Sequence, residues 1–211
     1  MPGYAEASDL TIPAKVVVAG GFGVGKTTLV STVSEIKPLR TEENLTMAGL
    51  RTDSLTGIER KSQTTVAMDF GRMTFPLSAR TLRELRFGPT AQVQLLLFGT
   101  PGQDRFWFMW DDLSEGAAGA IVLTDTRRLE DCFPAVEYFE RRGTPFIVAI
   151  NRFDGAHPYA EEAVRAALHL APQIPVVSCD AREKTSARRV LIALFEHVCE
   201  RTRPTSLLTR P

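Results

Sequence analysis

Lys15-Val-Val-Val-Ala-Gly20-Gly-Phe-Gly-Val-Gly25-Lys26-Thr27-Thr28 is the stretch on which the architecture turns. It opens as an apolar run of strand character, passes into the pattern G-x-x-x-x-G-K-[ST], and leads into a helix-like stretch from Lys26 to Glu35. Glycines let a backbone curl so tightly that successive N–H groups converge on a phosphate. Lys26 then reaches the β- and γ-oxygens, and the Thr27 hydroxyl takes one position on Mg²⁺. The candidate phosphate-binding residues are therefore Gly20, Phe22, Gly23, Val24, Gly25, Lys26, Thr27 and Thr28. A glycine-rich turn carrying an incidental lysine is the competing reading, and the placement between strand and helix argues against it. The chain is expected to bind a nucleoside di- or triphosphate.

Outward from that loop, apolar runs bounded by turn residues predict strands at Lys15 to Gly20, Thr65 to Phe70, Val93 to Phe98, Ala118 to Leu123, Pro145 to Ile150 and Ile174 to Ser178. Helix-like stretches lie between most of them: about Arg105 to Ser114, Glu130 to Arg141, Tyr159 to Leu170 and Lys184 to Glu200. This alternation predicts an α/β fold, a six-stranded mostly parallel sheet with helices on both faces, whose ligand sits beyond the carboxyl ends of the strands. At 211 residues the chain fits one domain, expected at 14–200 between an N-terminal tail at 1–13 and a C-terminal tail at 201–211. Two stretches strain the alternation, Ile36 to Gln63 and Arg72 to Gln92, and the second reads as an extended hairpin insertion at 72–92.

Composition excludes several classes. Twenty-five basic residues balance 25 acidic ones, so nothing in the charge points to nucleic acid or an anionic membrane. Cys132, Cys179 and Cys199 are widely spaced, which argues against a disulfide framework or zinc site and reads as ordinary buried thiols in a reducing compartment. With no apolar leader at the N-terminus, no membrane-length run and no prenylation box, a cytoplasmic protein is expected, without direct membrane insertion; membrane association would come through partners.

The base is read from Asn151-Arg152-Phe153-Asp154, directly after an apolar strand and about 125 residues beyond the phosphate loop. It resembles the guanine-recognition motif N-K-x-D. A carboxylate at Asp154 accepts from both guanine N1–H and the exocyclic amine, whereas adenine offers neither donor there. Asn151 would position the phosphate loop and touch the purine edge. Arg152 stands where lysine is usual, and a guanidinium plane can stack on the base as well. Taken alone these four residues also fit a capped turn before a helix. Ser178-Cys179-Asp180 resembles the S-A-K loop whose backbone meets guanine O6.

Together these residues resemble a Ras-like small GTPase, a P-loop NTPase with the small G-protein fold, over Lys15 to about Glu200. Thr65-Val-Ala-Met-Asp69-Phe70-Gly71, Leu97-Phe98-Gly99-Thr100-Pro101-Gly102-Gln103 and Arg105-Phe-Trp-Phe-Met-Trp-Asp-Asp112, with Asp125-Thr-Arg-Arg128, are most similar to the bacterial branch of MglA and the conservon (CvnD-like) GTPases. The resemblance implies that Thr65 binds Mg²⁺ beside Thr27 and senses the γ-phosphate, an assignment safe to one residue because Thr64 is adjacent. It implies that Gly102 hydrogen-bonds the γ-phosphate and that Gln103 orients the attacking water. Gln103, Lys26 and Thr65 would form the catalytic set.

Three departures accompany the matches. Gly99 replaces the aspartate of D-x-x-G that supports Mg²⁺ through water, an absence shared with MglA-like proteins. Asp69, on the neighbouring strand, reads as an exposed or paired strand residue in preference to a substitute ligand. Phe22 stands where many Ras-like proteins have glycine and would crowd Gln103, which predicts slow intrinsic hydrolysis. Thr64 stands where MglA-like proteins carry a self-supplied arginine, leaving Arg51, Arg60 and Arg105 as candidates in the long loops.

Phe106-Trp-Phe-Met-Trp110 places five large apolar residues around most of a presumed helix, so some of them are expected to form an exposed docking patch; packing under a covering loop is the alternative. The resemblance implies a Roadblock/LC7-type partner and a sensor-kinase-like complex. The leading expectation is a GTPase that hydrolyses GTP slowly and cycles between GTP and GDP as a switch in bacterial signalling. A hydrolysis-deficient nucleotide-binding subunit of a membrane-proximal signalling complex is the alternative. A kinase built on the same loop would leave Asn151 to Asp154 without a purpose.

Overall fold

The computed structural model describes residues 10–46, 63–77, 91–102 and 108–202. Strands β1 (Leu10–Ala19), β2 (Leu39–Thr46), β3 (Gln63–Pro76), β4 (Ala91–Gly99), β5 (Gly119–Thr124), β6 (Phe146–Asn151) and β7 (Val176–Cys179) form one sheet in the spatial order β2-β3-β4-β1-β5-β6-β7. Every pairing from β4 through β1, β5 and β6 to β7 is parallel. Only β3 runs against the rest, antiparallel to β4 and to β2. Connecting helices are α1 (Lys26–Val33), α2 (Phe108–Ser114), α3 (Phe133–Arg142), α4 (Glu161–Ala167) and α5 (Lys184–Thr202), with a 3-10 segment at Thr126–Cys132. This is the expected α/β fold of a phosphate-loop nucleotide-binding protein.

All six expected strands are present, and β2 adds a seventh from within the polar stretch after Ile36. Its sequence, Leu-Arg-Thr-Glu-Glu-Asn-Leu-Thr, has no apolar run because it lies at the sheet edge against β3 alone, where charged residues are tolerated and discourage further pairing. A second correction concerns the N-terminal tail expected at 1–13: β1 already begins at Leu10, opposite Ala91. Pro13 obscured this extension. It pairs with Gln94 on β4, while the pairing of β1 with β5 starts only at Val16, so at Pro13 the strand has a single neighbour and proline's missing donor is tolerated. The flanks of the 72–92 insertion are hairpin strands, β3 and β4 pairing from Asp69↔Gly99 out to Pro76↔Gln92. Residues 78–90 lie outside the described chain.

The sheet separates two apolar layers, and alternation along β1 assigns residues to each. Val16 and Val18 face α1 and α5, packing with Leu29, Val30, Leu97, Val190 and Leu194. Val17 and Ala19 face the opposite way, toward Trp110, Val136, Phe139 and Val164 of α2, α3 and α4. β5 and β6 are buried at every position, which is why they read as unbroken apolar runs. With both faces covered, the carboxyl ends of β1, β4, β6 and β7 with their loops, and the part of β3 around Asp69 that pairs with the end of β4, are left to build a site. Among the described residues no helix is long and apolar enough to cross a membrane.

Candidate functional site

At the end of β1 the chain turns through Gly20 to Gly25 into α1. Gly25 occupies the position before the helix in the left-handed region, at φ 104°, and supplies no side-chain cap. The first-turn N–H groups of α1 are thus left for an external acceptor, the arrangement that suits a phosphate. Lys26 is only 8% exposed and donates from Nζ to the carbonyls of Gly20 (2.8 Å) and Gly21 (2.7 Å). Gly102, from the loop after β4, presses against the same ammonium: a Cβ at that position would stand 2.6 Å from Nζ. Burial lowers the Lys26 pKa to about 8, against the opposing attraction of Asp69. Val24 is buried beneath the loop, Thr28 points outward on α1, and Phe22 is 65% exposed at the loop's tip.

Asp69 is a paired strand residue, as expected, and its partner belongs to the phosphate loop's own helix. It is 8% exposed, lies opposite Gly99 in the β3–β4 register, and accepts a short hydrogen bond from the Thr27 hydroxyl. A hydroxyl and a carboxylate side by side next to the phosphate loop are hard oxygen groups of the kind Mg²⁺ takes, so the residues present fit that ion. Mg²⁺ at such a site offsets the charge of phosphate oxygens. Thr65 lies on the same strand, opposite Asn44 of β2. Gln103 lies outside the described residues, as do Arg51, Arg60 and Arg105.

The opposite end of the site is assembled around Asn151, the last residue of β6. Its side chain is 6% exposed and ties three loops together: Nδ2 donates to Val24 O of the phosphate loop (2.9 Å), and Oδ1 accepts from Ala181 N beyond β7 (2.9 Å). The Arg152 N–H donates to Cys179 O (2.8 Å). Beyond this buried tie the groups become exposed. Asp154 accepts two bonds from Arg182, Nη1 to Oδ2 at 2.9 Å and Nη2 to Oδ1 at 3.1 Å, while Arg182 also forks onto Asp180. The same guanidinium holds both carboxyls below the usual carboxylate range, Asp180 at about 2. Arg127, ion-paired with Asp125, lies over the Phe153 ring at 4.1 Å.

With that geometry in place, comparison with known proteins narrows the assignment. The family described as "Conserved hypothetical ATP binding protein" matches residues 18–201. The chain belongs to that family. It is also similar to the uncharacterized protein MJ1339 of Methanocaldococcus jannaschii, 30% identical over 142 residues that cover 66% of this chain and 70% of that protein. Membership in the ATP-binding family carries nucleotide binding and the phosphate-loop fold. It neither distinguishes guanine from adenine nor picks out the MglA/conservon branch.

Of the residues matched to an S-A-K loop, Ser178 and Cys179 belong to β7, and only Asp180 lies in the turn. Ser178 N donates to Glu161 Oε1 at 2.7 Å. Cys179 is a core residue whose thiol burial pushes up to about 12. The turn is Asp180-Ala181-Arg182, closed by Arg182 N donating to Asp180 Oδ1 at 2.9 Å and anchored by Asp180 N donating to Ser186 Oγ at 3.0 Å. Ala181 and Arg182 are thus functional candidates that sequence reasoning missed. An aspartate two residues before an arginine was the available sign of a side-chain-closed turn. Arg128 was missed too: its Nη2 donates to Phe22 O at 2.9 Å and pins the phosphate loop from the 3-10 segment.

The apolar run 106–110 divides. Trp110 is 4% exposed and packs edge-on to Tyr138 (5.3 Å between centroids) and stacked on Phe139 (6.2 Å). It therefore belongs to the core, and truncating it to alanine would cost about 3–5 kcal/mol of stability. Phe108, two residues earlier, is 55% exposed. Phe106 and Trp107 lie outside the described residues.

Proposed function

We propose that this member of the ATP-binding family binds guanine nucleotides, hydrolyses GTP slowly to GDP and phosphate, and works as a GTP/GDP switch in bacterial signalling. The observation that carries the base assignment is the paired acceptance by Asp154. Arg182 presents two N–H donors to the two carboxylate oxygens, the donor pattern of guanine N1–H and its exocyclic amine, and adenine lacks it. Asn151 supports the same reading by fixing the base loop to the phosphate loop through one side chain. For hydrolysis, Lys26 would neutralise the β- and γ-oxygens, Thr27 and Thr65 would hold Mg²⁺, and Gln103 would orient water. The exposed Phe22 ring on the loop supports a slow intrinsic rate, and it equally favours a second reading in which the bound nucleotide only stabilises a signalling subunit. A Roadblock/LC7-type partner, drawn from the MglA and conservon resemblance, would meet the start of α2, where Phe108 is exposed.

The test is calorimetric titration of nucleotide-stripped protein with GDP, GTP and ATP in Mg²⁺, alongside Asp154→Asn. The expected result is a guanine preference that the variant loses by on the order of a hundredfold, since two hydrogen bonds to a charged group go at once. A preference for ATP, or one unchanged by Asp154→Asn, would overturn the guanine assignment.

A further inference from the structure

The position that carries the metal-supporting aspartate in D-x-x-G is Gly99 here, yet the space beside Thr27 holds a carboxylate all the same. Gly99 is the last residue of β4 and Asp69 its direct partner on β3. A Cβ built on Gly99 would lie 3.2 Å from Asp69 Cβ and 3.3 Å from Asp69 Oδ2, so the volume that a side chain at 99 would enter is already filled by Asp69. A side chain at 99 would crowd Asp69, and the glycine leaves the aspartate of the neighbouring strand its room. We infer that Asp69 is the metal-supporting carboxylate of this protein, moved sideways by one strand, and that it positions Thr27 as a Mg²⁺ ligand.

A hydroxyl has one proton and two acceptor lone pairs. Thr27 donates its proton to Asp69, so its lone pairs are directed away from that carboxylate and are available to a cation. Asp69 is 8% exposed and stays in place because β3 is paired on both edges, with β2 and β4. The close approach of α1 to β3 has its own cause: a Cβ at Gly71 would stand 2.8 Å from Val30 and 3.2 Å from Ser34, so only glycine there lets the helix settle on the strand and bring Thr27 to Asp69. A carboxylate in this place also balances Lys26 and can hold a water of the metal's shell. Mg²⁺ characteristically keeps several waters and takes only one or two protein carboxylates.

This inference rests on the Mg²⁺-nucleotide reading of the site and not on the identity of the base. It is tested by measuring the affinity for GDP and for ADP with MgCl₂ and with EDTA, in wild type, Asp69→Asn and the exchange variant Asp69→Gly/Gly99→Asp, with melting temperatures for all three. The expected result is that Mg²⁺ tightens binding in wild type, that Asp69→Asn loses about tenfold or more of that enhancement, and that the exchange variant regains it while the EDTA affinities stay level. An enhancement that survives Asp69→Asn overturns the inference, as does a folded exchange variant without enhancement. Should Asp69→Asn fail to fold, the exchange variant decides by the same criterion. Nucleotide binding in wild type that is indifferent to Mg²⁺ overturns the inference alone, whereas no binding of either nucleotide overturns the functional reading as well.

Discussion

The two ends of the site are built on opposite principles. Around the phosphate loop the working groups are buried and mutually constrained: Lys26 is held by two carbonyls and pressed by Gly102, Asp69 fills the space left by Gly99, and Asn151 locks Val24 from below. At the base end they stand in solvent. Asp154 is 86% exposed and Arg182 57% exposed, and they are joined by an ion pair that water and salt weaken. Groups interlocked in this way constrain one another's positions at the phosphate end. The end at Asp154 can rearrange at little cost, so on the guanine reading proposed above binding strength and base selectivity would belong to different regions.

The sharpest way to break that contrast is Lys26→Met. Without the ammonium the site loses charge-assisted bonds to phosphate oxygens, and affinity should fall on the order of a hundredfold or more for guanine and adenine nucleotides alike. Calorimetry on the folded variant checks it. A loss confined to one base would mean that the two ends are not separable.

A smaller effect follows from pH. The folded-state pKa of Lys26 lies near 8, below its ordinary 10.5, because burial disfavours the ammonium. Between those values the unfolded chain binds the proton more strongly, so stability of the nucleotide-free protein rises with pH across this window. Nucleotide affinity moves the other way, since phosphate needs the protonated lysine. It should fall above pH 8, approaching about tenfold per pH unit, and the dependence should vanish in Lys26→Met. A flat wild-type profile between pH 7 and 9 would remove Lys26 from the role of anchor.

The same contrast explains what was legible in the sequence. The phosphate loop is contiguous, and its glycines, lysine and threonine act through backbone geometry that fourteen consecutive residues encode. Asn151 was readable because it ends an apolar strand at the right distance from that loop. Asp69 was legible as a strand residue but not as a neighbour of Thr27 and Gly99, because Gly99 lies thirty positions further on and only pairing register brings the two together. The turn after β7 was placed two residues early because Val-Val-Ser-Cys continues the run, and the one local sign of the turn, Asp180 two residues before Arg182, is weak beside it. Which residues of 106–110 would be buried was not legible, because a five-residue apolar run has no helical period, and Trp110 belongs to the core. Its burial is decided by Tyr138 and Phe139, on α3.

The gentlest perturbation is Arg182→Ala. Arg182 occupies the two acceptors of Asp154, and on the guanine reading the base edge would have to displace it. The displaced side chain does not lose all of its bonds, because Nε and Nη2 keep their fork on Asp180. What must be surrendered is only an exposed, solvent-screened ion pair, so removing Arg182 should raise guanine-nucleotide affinity by no more than about fivefold. Adenine nucleotides, which have nothing to offer Asp154, should be unaffected. The competition is electrostatic at its exposed edge, so the gain should shrink as salt is raised and the pair in wild type weakens. A fall in guanine affinity instead would mean that Arg182 covers the base rather than competing with it, and the base end would then be shaped for its ligand in advance.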